Sequence, residues 1–250
     1  MIDFHSHILP GLDDGIQNFE ESVEVIKEAK EAGFEKIICT THNSGYFTAT
    51  EDERIAKIQE LEQQELGVEL ILGSEIYART SMAELIEERE ASTINDTKYI
   101  LFEIPLHKDY PELKNVVFNL ISKGYKLVLA HPERYATFQK NPKELEEIID
   151  AGVYLQANYM SIDGFYGKES KKLVELLYRH NMISFLGTDV HCTGAYYCNV
   201  PKVSKRIIEL VGEEKFEEMS NSNIQLVLEN KEVELADYIP IEKTFLGKYK

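Results

Sequence analysis

Short apolar runs alternate along this chain with longer stretches whose apolar residues recur at helical spacing. The opening IDFHSH (residues 2–7) reads as a strand. A helix follows from about Asn18 to Ala32, with Asn18 as N-cap and Glu21 three residues on. Phe19, Val23, Ile26 and Ala29 share its apolar face, and Gly33 stops it. KIICTTH (Lys36 to His42) is the second strand, ELILGSEIY (Glu69 to Tyr77) the third, and a charged helix from Thr50 to Gly67 lies between them. After a short helix within Ser81 to Glu90 comes KYILFEIP (Lys98 to Pro105), then a helix from Tyr110 to Lys123. YKLVLAHPE, a helix from Asn141 to Gly152 with Pro142 at its start, and VYLQAN continue the alternation. A helix from Ser170 to Asn181 leads to ISFLGTDVH, two more helical stretches and a charged tail.

The pattern amounts to seven strand-then-helix units. The strands are too apolar to be half exposed, which predicts parallel strands buried on both faces and closed, or nearly closed, as an α/β barrel. A chain of 250 residues without a low-complexity linker or internal repeat suits a single domain over 1–250, with about the last ten residues as a flexible tail.

In such folds the functional groups gather at the C-terminal ends of the strands. The first strand brings His5 and His7 there, the second His42, the third Glu75, the fourth Glu103, the fifth His131 and the seventh Asp189 and His191; Asp14 follows in the first loop. Five of the seven histidines in the chain thus fall on one rim. A lone H-x-H means little, but imidazoles and carboxylates converging in an apolar frame are costly unless they are paired or hold cations. Divalent metals are the simplest compensation for several carboxylates in one pocket. Of the two remaining histidines, His180 sits near a helix C-terminus, and His107 lies in a polar loop beyond Glu103, close enough to the rim to touch substrate.

Charge and cysteine usage narrow the choice further. With 44 Asp and Glu against 27 Lys and Arg, a net charge of −17 and no basic run beyond the terminal KYK, nucleic acid is a poor partner. No secretory signal and no membrane-spanning run is present, so a cytoplasmic location is expected. Cys39, Cys192 and Cys198 lack CxxC spacing and read as reduced thiols. Each also lacks an arginine six residues later, so no C-x5-R loop is present.

His5-Ser6-His7, the isolated His and Glu residues on later strands and the closing Asp189-Val190-His191 resemble the polymerase and histidinol phosphatase (PHP) superfamily. More closely, MIDFHSHILPGLDDG, TTHNSGYF, GSEIY, NDTKYILFEIP and AHPERY resemble the bacterial manganese-dependent protein-tyrosine phosphatases encoded with capsule and exopolysaccharide genes. The resemblance implies a distorted (β/α)7 barrel with three divalent ions, manganese by family, while the ligand types alone also suit iron or zinc. It implies one ion held by His5, His7, Glu75 and Asp189, a second shared through Glu75 and completed by Glu103 and His131, and a third on Asp14, His42 and His191. A water shared by ions about 3.5–4 Å apart would then attack phosphorus in line. Arg134, three residues beyond His131, matches a phosphate-binding arginine of the family, and its guanidinium can grip two phosphoryl oxygens. The implied substrate is a phosphotyrosine protein, the tyrosine-rich tail of a bacterial tyrosine kinase controlling polysaccharide export.

One stretch departs from the family pattern. Where Asn and then an arginine commonly follow D-x-H, this chain reads HCTGAYYCNVPK, which puts Tyr196, Tyr197 and Lys202 in the loop and makes Tyr196 and Lys202 the candidate substrate contacts there. Two other readings share the site: a histidinol-phosphate or other small phosphomonoester phosphatase using the same metals, and a non-catalytic module that binds phosphotyrosine or a kinase. All nine candidate ligand positions are filled, which favours an enzyme.

Overall fold

The computed structural model describes residues 1–235, 237–243 and 249 of the chain. Its strands are β1 Ile2–Ser6, β2 Lys36–Cys39, β3 His42–Asn43, β4 Glu69–Leu72, β5 Glu75–Tyr77, β6 Tyr99–Glu103, β7 Lys126–Ala130, β8 Val153–Asn158 and β9 Phe185–Gly187. They form a three-stranded sheet in the order β1-β2-β4 and a six-stranded sheet in the order β3-β5-β6-β7-β8-β9, with every neighbouring pair parallel. The larger sheet curls into a half-barrel. Where the chain leaves β9, the Asp189 N–H donates to the His5 carbonyl (2.8 Å) and the His7 N–H to the Val190 carbonyl (3.1 Å), tying the last strand to the first.

The helices are α1 Phe19–Glu31, α2 Glu51–Glu62, α3 Met82–Glu87, α4 Leu113–Ser122, α5 Ala136–Lys140, α6 Glu144–Asp150, α7 Lys168–Arg179, α8 Val200–Val211, α9 Glu213–Glu217 and α10 Asn223–Leu228. The Asn18 side chain accepts the Glu21 N–H (2.9 Å) at the start of α1, and Thr50 with Glu53 forms a reciprocal cap on α2. The helix expected to reach Gly67 ends at Glu62, with Glu65 in a left-handed turn. The short helix α5 was not expected. The tail residues 244–248 and 250 lie outside the described residues, as does Ala236. Among the described residues no helix is long and apolar enough to cross a membrane.

Two expected strands are each broken. KIICTTH divides at Thr40 and Thr41, where the Thr40 N–H and hydroxyl both turn to the Ser6 carbonyl (2.9 and 3.1 Å), and ELILGSEIY divides at Gly73 and Ser74. The Glu75 N–H donates to the carbonyls of Thr40 and Thr41, so the chain passes from one sheet to the other at that point.

The inward faces carry a graded set of residues. Ile2, Phe4, Ile38, Ile71, Tyr99, Leu101, Val128, Tyr154 and Phe185 form one buried apolar cluster, sealed from below by Ile224 and Val227 of α10. Phe4 and Phe185 stack with ring centroids 4.5 Å apart. Continuing two or four residues along the same faces gives His42, Glu75, Glu103, Gln156 and Asp189, because side chains of a strand alternate with period 2.

Candidate metal centre

Two strands reach this upper layer only through a backbone irregularity. In β1 the register runs Asp3 opposite Ile37 but Ser6 opposite Cys39, so one extra residue is inserted between them. This bulge switches the face of the strand, and Ile2 and Phe4 belong to the apolar cluster while His5 and His7 join the polar one above it. In β7 the inward positions are Val128 and Ala130, which by alternation would leave residue 131 facing the helices. His131 instead adopts left-handed φ 34, ψ 57 and turns its ring inward, where Nε2 lies 2.9 Å from Glu75 Oε1. Asp189 also has a left-handed φ, of 56°. Strained backbone of this kind collects at functional sites. Gly187 leaves the room that His5 needs, since a Cβ there would lie 2.6 Å from the His5 Cβ.

Glu75 is the centre of the cluster. Its fully buried Oε2 has no hydrogen-bond partner, yet lies 3.0 Å from His42 Nδ1, 3.2 Å from His5 Nε2 and 3.4 Å from His7 Nε2. The Nε2 atoms of His5 and His7 are 3.0 Å apart and so point at one place. The other ring nitrogen of each is held from behind: Gln156 Oε1 lies 2.9 Å from His5 Nδ1, and Asp13 Oδ2 lies 2.7 Å from His7 Nδ1. His42 Nδ1 is also 3.2 Å from Glu103 Oε1. On the outer side, Asp14 Oδ1 lies 3.5 Å from His42 Nε2 and 3.7 Å from His191 Nε2. Asp189 points Oδ1 toward His7 Nε2 (3.5 Å) and His5 Nε2 (3.8 Å). Its Oδ2 accepts hydrogen bonds from Arg134 Nη1 (2.6 Å) and Asn158 Nδ2 (2.7 Å).

These contacts set the protonation of the cluster. Burial alone would raise the Glu75 carboxyl, but His5 and His42 beside it outweigh burial and hold it well below the usual carboxylate range. Asp189 behaves likewise, with His5 and Arg134 overcoming its burial. Burial would lower His5 and His42; Glu75 with Asp189 lifts His5 to about 9, and Glu75 with Glu103 lifts His42 to about 12. The carboxylates thus stay ionised only against nearby positive charge.

The donor set fits divalent cations. Three groups of ligand atoms each lie within 4.8 Å of one another: His5, His7 and Glu75; His42, Glu75 and Glu103; and His7, Asp14, His42 and His191. Imidazole nitrogen and carboxylate oxygen without thiolate suit manganese, iron or zinc. His42 lies beside Glu75 and Glu103, while His131 Nε2 is 2.9 Å from the other oxygen of Glu75.

Asp14, His42, Glu103, His131, Asp189, His191 and Arg134 line a cavity of about 440 Å³ together with Phe47, Tyr77, Leu106 and the exposed Tyr46. Arg134 stands at its edge with its Cζ 4.6 Å from the centroid of the Tyr166 ring. A larger cleft of about 1060 Å³ between α4, α5 and α6 contains none of the cluster residues. The other three candidate substrate contacts lie outside the cavity lining. His107 is exposed in its loop, while Leu106 takes the place at the rim. Tyr196 is buried against Phe165. Lys202 Nζ is 2.6 Å from Asp163, which also pairs with Arg206, so its charge is already met.

The structure also shows residues that strand-end reasoning passed over: Asp13, Gln156 and Asn158, and the aromatic residues of the cavity lining. The signal for the two amides is visible in VYLQAN, where polar residues stand two apart in a strand buried at every position.

Residues 1–229 match the family model described as capsular polysaccharide synthesis, CpsB/CapC. A tyrosine-protein phosphatase CpsB from Streptococcus pneumoniae is 32% identical over 202 residues, covering 76% of this chain and 83% of the relative. Tyrosine-protein phosphatase YwqE from Bacillus subtilis is 31% identical over 196 residues, covering 76% and 77%. A crystal structure from work on YwqE of B. subtilis and CpsB of S. pneumoniae, described as unique metal-dependent tyrosine phosphatases, superposes with a TM-score of 0.90 at 27% identity, covering 97% of this chain and all of the other. The bulged first strand, the inward-turned His131 and the carboxylates gathered around Glu75 therefore stand in a chain that belongs to the CpsB/CapC family of capsular polysaccharide synthesis.

Proposed function

We propose that this chain is a metal-dependent protein-tyrosine phosphatase acting on the phosphotyrosine tail of a bacterial tyrosine kinase in capsule or exopolysaccharide synthesis, in the cytoplasm. The reading takes the two sheets as one distorted (β/α)7 barrel in a single domain over 1–250, counting β2 with β3 and β4 with β5 as interrupted strands. The observation that carries it is Glu75: a buried carboxylate oxygen with no hydrogen-bond partner, faced by three imidazole nitrogens within 3.4 Å.

In this reading His5, His7, Asp14, His42, Glu75, Glu103, His131, Asp189 and His191 hold three divalent ions, manganese first. When bound, such ions supply Lewis acidity toward a phosphoryl oxygen and lower the pKa of a coordinated water. Gln156 and Asp13 fix the ring orientations of His5 and His7. Arg134, gripped through Nη1 by Asp189 and stacked on Tyr166, keeps further N–H groups for phosphoryl oxygens at the cavity edge. Phe47, Tyr77 and the exposed Tyr46 offer flat apolar surface to a phenyl ring entering the cavity. Departing tyrosinate needs little protonation, free phenol having a pKa of about 10, and no side chain is assigned as general acid.

The test is hydrolysis of a phosphotyrosine peptide and of histidinol phosphate by metal-stripped protein, with and without manganese. Manganese-dependent release from the peptide is expected. Preference for histidinol phosphate would replace this reading with a small-molecule phosphatase, and binding of metal and peptide without turnover would replace it with a recognition module.

A further inference from the structure

Asp13 stands one residue before the candidate ligand Asp14, is itself 6% exposed, and does not line the cavity. Both of its oxygens are committed. Oδ2 lies 2.7 Å from His7 Nδ1 and accepts the backbone N–H of His42 at 2.9 Å, while Oδ1 accepts the N–H of Gly15 at 2.9 Å. The loop is pressed so closely onto His7 that a Cβ at residue 15 would sit 2.3 Å from the His7 carbonyl oxygen. Gly15 therefore belongs to the same construction.

The three tethers lead to three different places. One orients the ring of His7, one fixes the backbone from which the His42 ring projects, and one closes the turn that presents Asp14. His7, His42 and Asp14, together with His191, are the four residues whose ligand atoms gather within 4.8 Å on the outer side of the cluster. The grouping of His5, His7 and Glu75 shares only His7 with this set, and that of His42, Glu75 and Glu103 only His42, whereas the outer set contains all three tethered residues. His5, moreover, takes its orientation from the amide of Gln156 rather than from a carboxylate. A carboxylate behind a ligating imidazole fixes its tautomer and strengthens it as a donor.

We propose that Asp13 is the positioning residue of one metal position, the outer one formed by His7, Asp14, His42 and His191, and that it sets the affinity there separately from the remaining positions. This rests on the metal-centre reading above. Because its carboxylate does not line the cavity, its effect passes through the geometry of the three residues it ties.

The experiment is manganese binding to the intact metal-stripped protein by calorimetry, with bound metal counted after equilibration at a series of free manganese concentrations, for wild type and Asp13→Asn. Asparagine keeps the shape but removes the charge. The expected result is that one ion binds about 10–100-fold more weakly, the typical cost of losing an outer-shell partner, while the others, which share one tethered ligand each, weaken by clearly less. Phosphotyrosine hydrolysis should then fall at low manganese and recover as manganese is raised. Superimposable isotherms, or equal weakening of every position, would overturn the proposal. Wild type that binds no manganese would sink the metal-centre reading itself, and Asp13 would then be only a loop anchor. Should the asparagine variant not fold, Asp13→Glu, which displaces the carboxylate by one methylene, is read in the same way.

Discussion

The lower and upper halves of the barrel interior are built on the same strands and solve opposite problems. Below, Phe4, Tyr99, Leu101, Val128, Tyr154 and Phe185 remove apolar surface from water, with Tyr99 and Tyr154 sending their hydroxyls out to the Lys231 and Val233 carbonyls (2.8 and 2.6 Å). Above, within a few residues on the same faces, imidazoles and carboxylates are buried at close range. Burying such charge costs stability unless it is paired, whereas burying a large apolar side chain contributes about 1.5–3 kcal/mol. The difference teaches that this fold separates its labour by height along the strand: the lower half holds the strands in register, and the upper half is free to be electrostatically costly.

That division can be broken from either side. The largest effect is expected from Glu75→Gln, which removes the carboxylate common to two ligand groups: phosphotyrosine hydrolysis should fall by at least about a thousandfold, beyond the 10–100-fold cost of outer-shell losses, while circular dichroism stays that of the folded chain. Folded variant with activity within tenfold of wild type would contradict the role given to Glu75. Phe4→Ala attacks the other half. Urea unfolding should show a loss of about 3–5 kcal/mol, with manganese stoichiometry unchanged in the variant that remains folded. If metal binding disappears along with stability, the two halves are one cooperative unit and the division by height is wrong. Losing a single manganese ion should act more gently. Saturation of one position at a hundred times its dissociation constant contributes about 2.7 kcal/mol, so the melting temperature should drop by about 5–10 °C per ion removed for a chain of this size, and by the same amount in Phe4→Ala as in wild type.

Much of this arrangement is legible in the sequence because strand ends are local. His5, His7, His42, Glu75, Glu103, His131, Asp189 and His191 each close an apolar run, and the structure gathers them at one rim. What is not legible depends on pairing. The bulge in β1 exists only relative to β2, the breaks after Cys39 and Leu72 only relative to the sheet each segment joins. The left-handed His131 runs against local expectation, since a residue before proline favours extended backbone. Lys202 looks available in sequence, but its partner Asp163 is 39 residues away, and only the fold brings them together. Asp13 is not distinguishable along the chain from the adjacent Asp14, because only the fold shows which of the two carboxylates stands behind His7.

The extra residue in β1 amounts to a half-period phase shift written into a five-residue strand. Upstream of it the odd-numbered Asp3 turns away from the interior to the Thr188 hydroxyl and Tyr197; downstream the odd-numbered His5 and His7 turn toward it. One short segment therefore supplies both part of the apolar floor and two of the clustered imidazoles, which an unbroken alternation could not do. Deleting Phe4 or His5 would restore a regular ladder with Ser6 still outward and His7 still inward, so the strand would keep only one of the two, the aromatic of the floor or the imidazole above it.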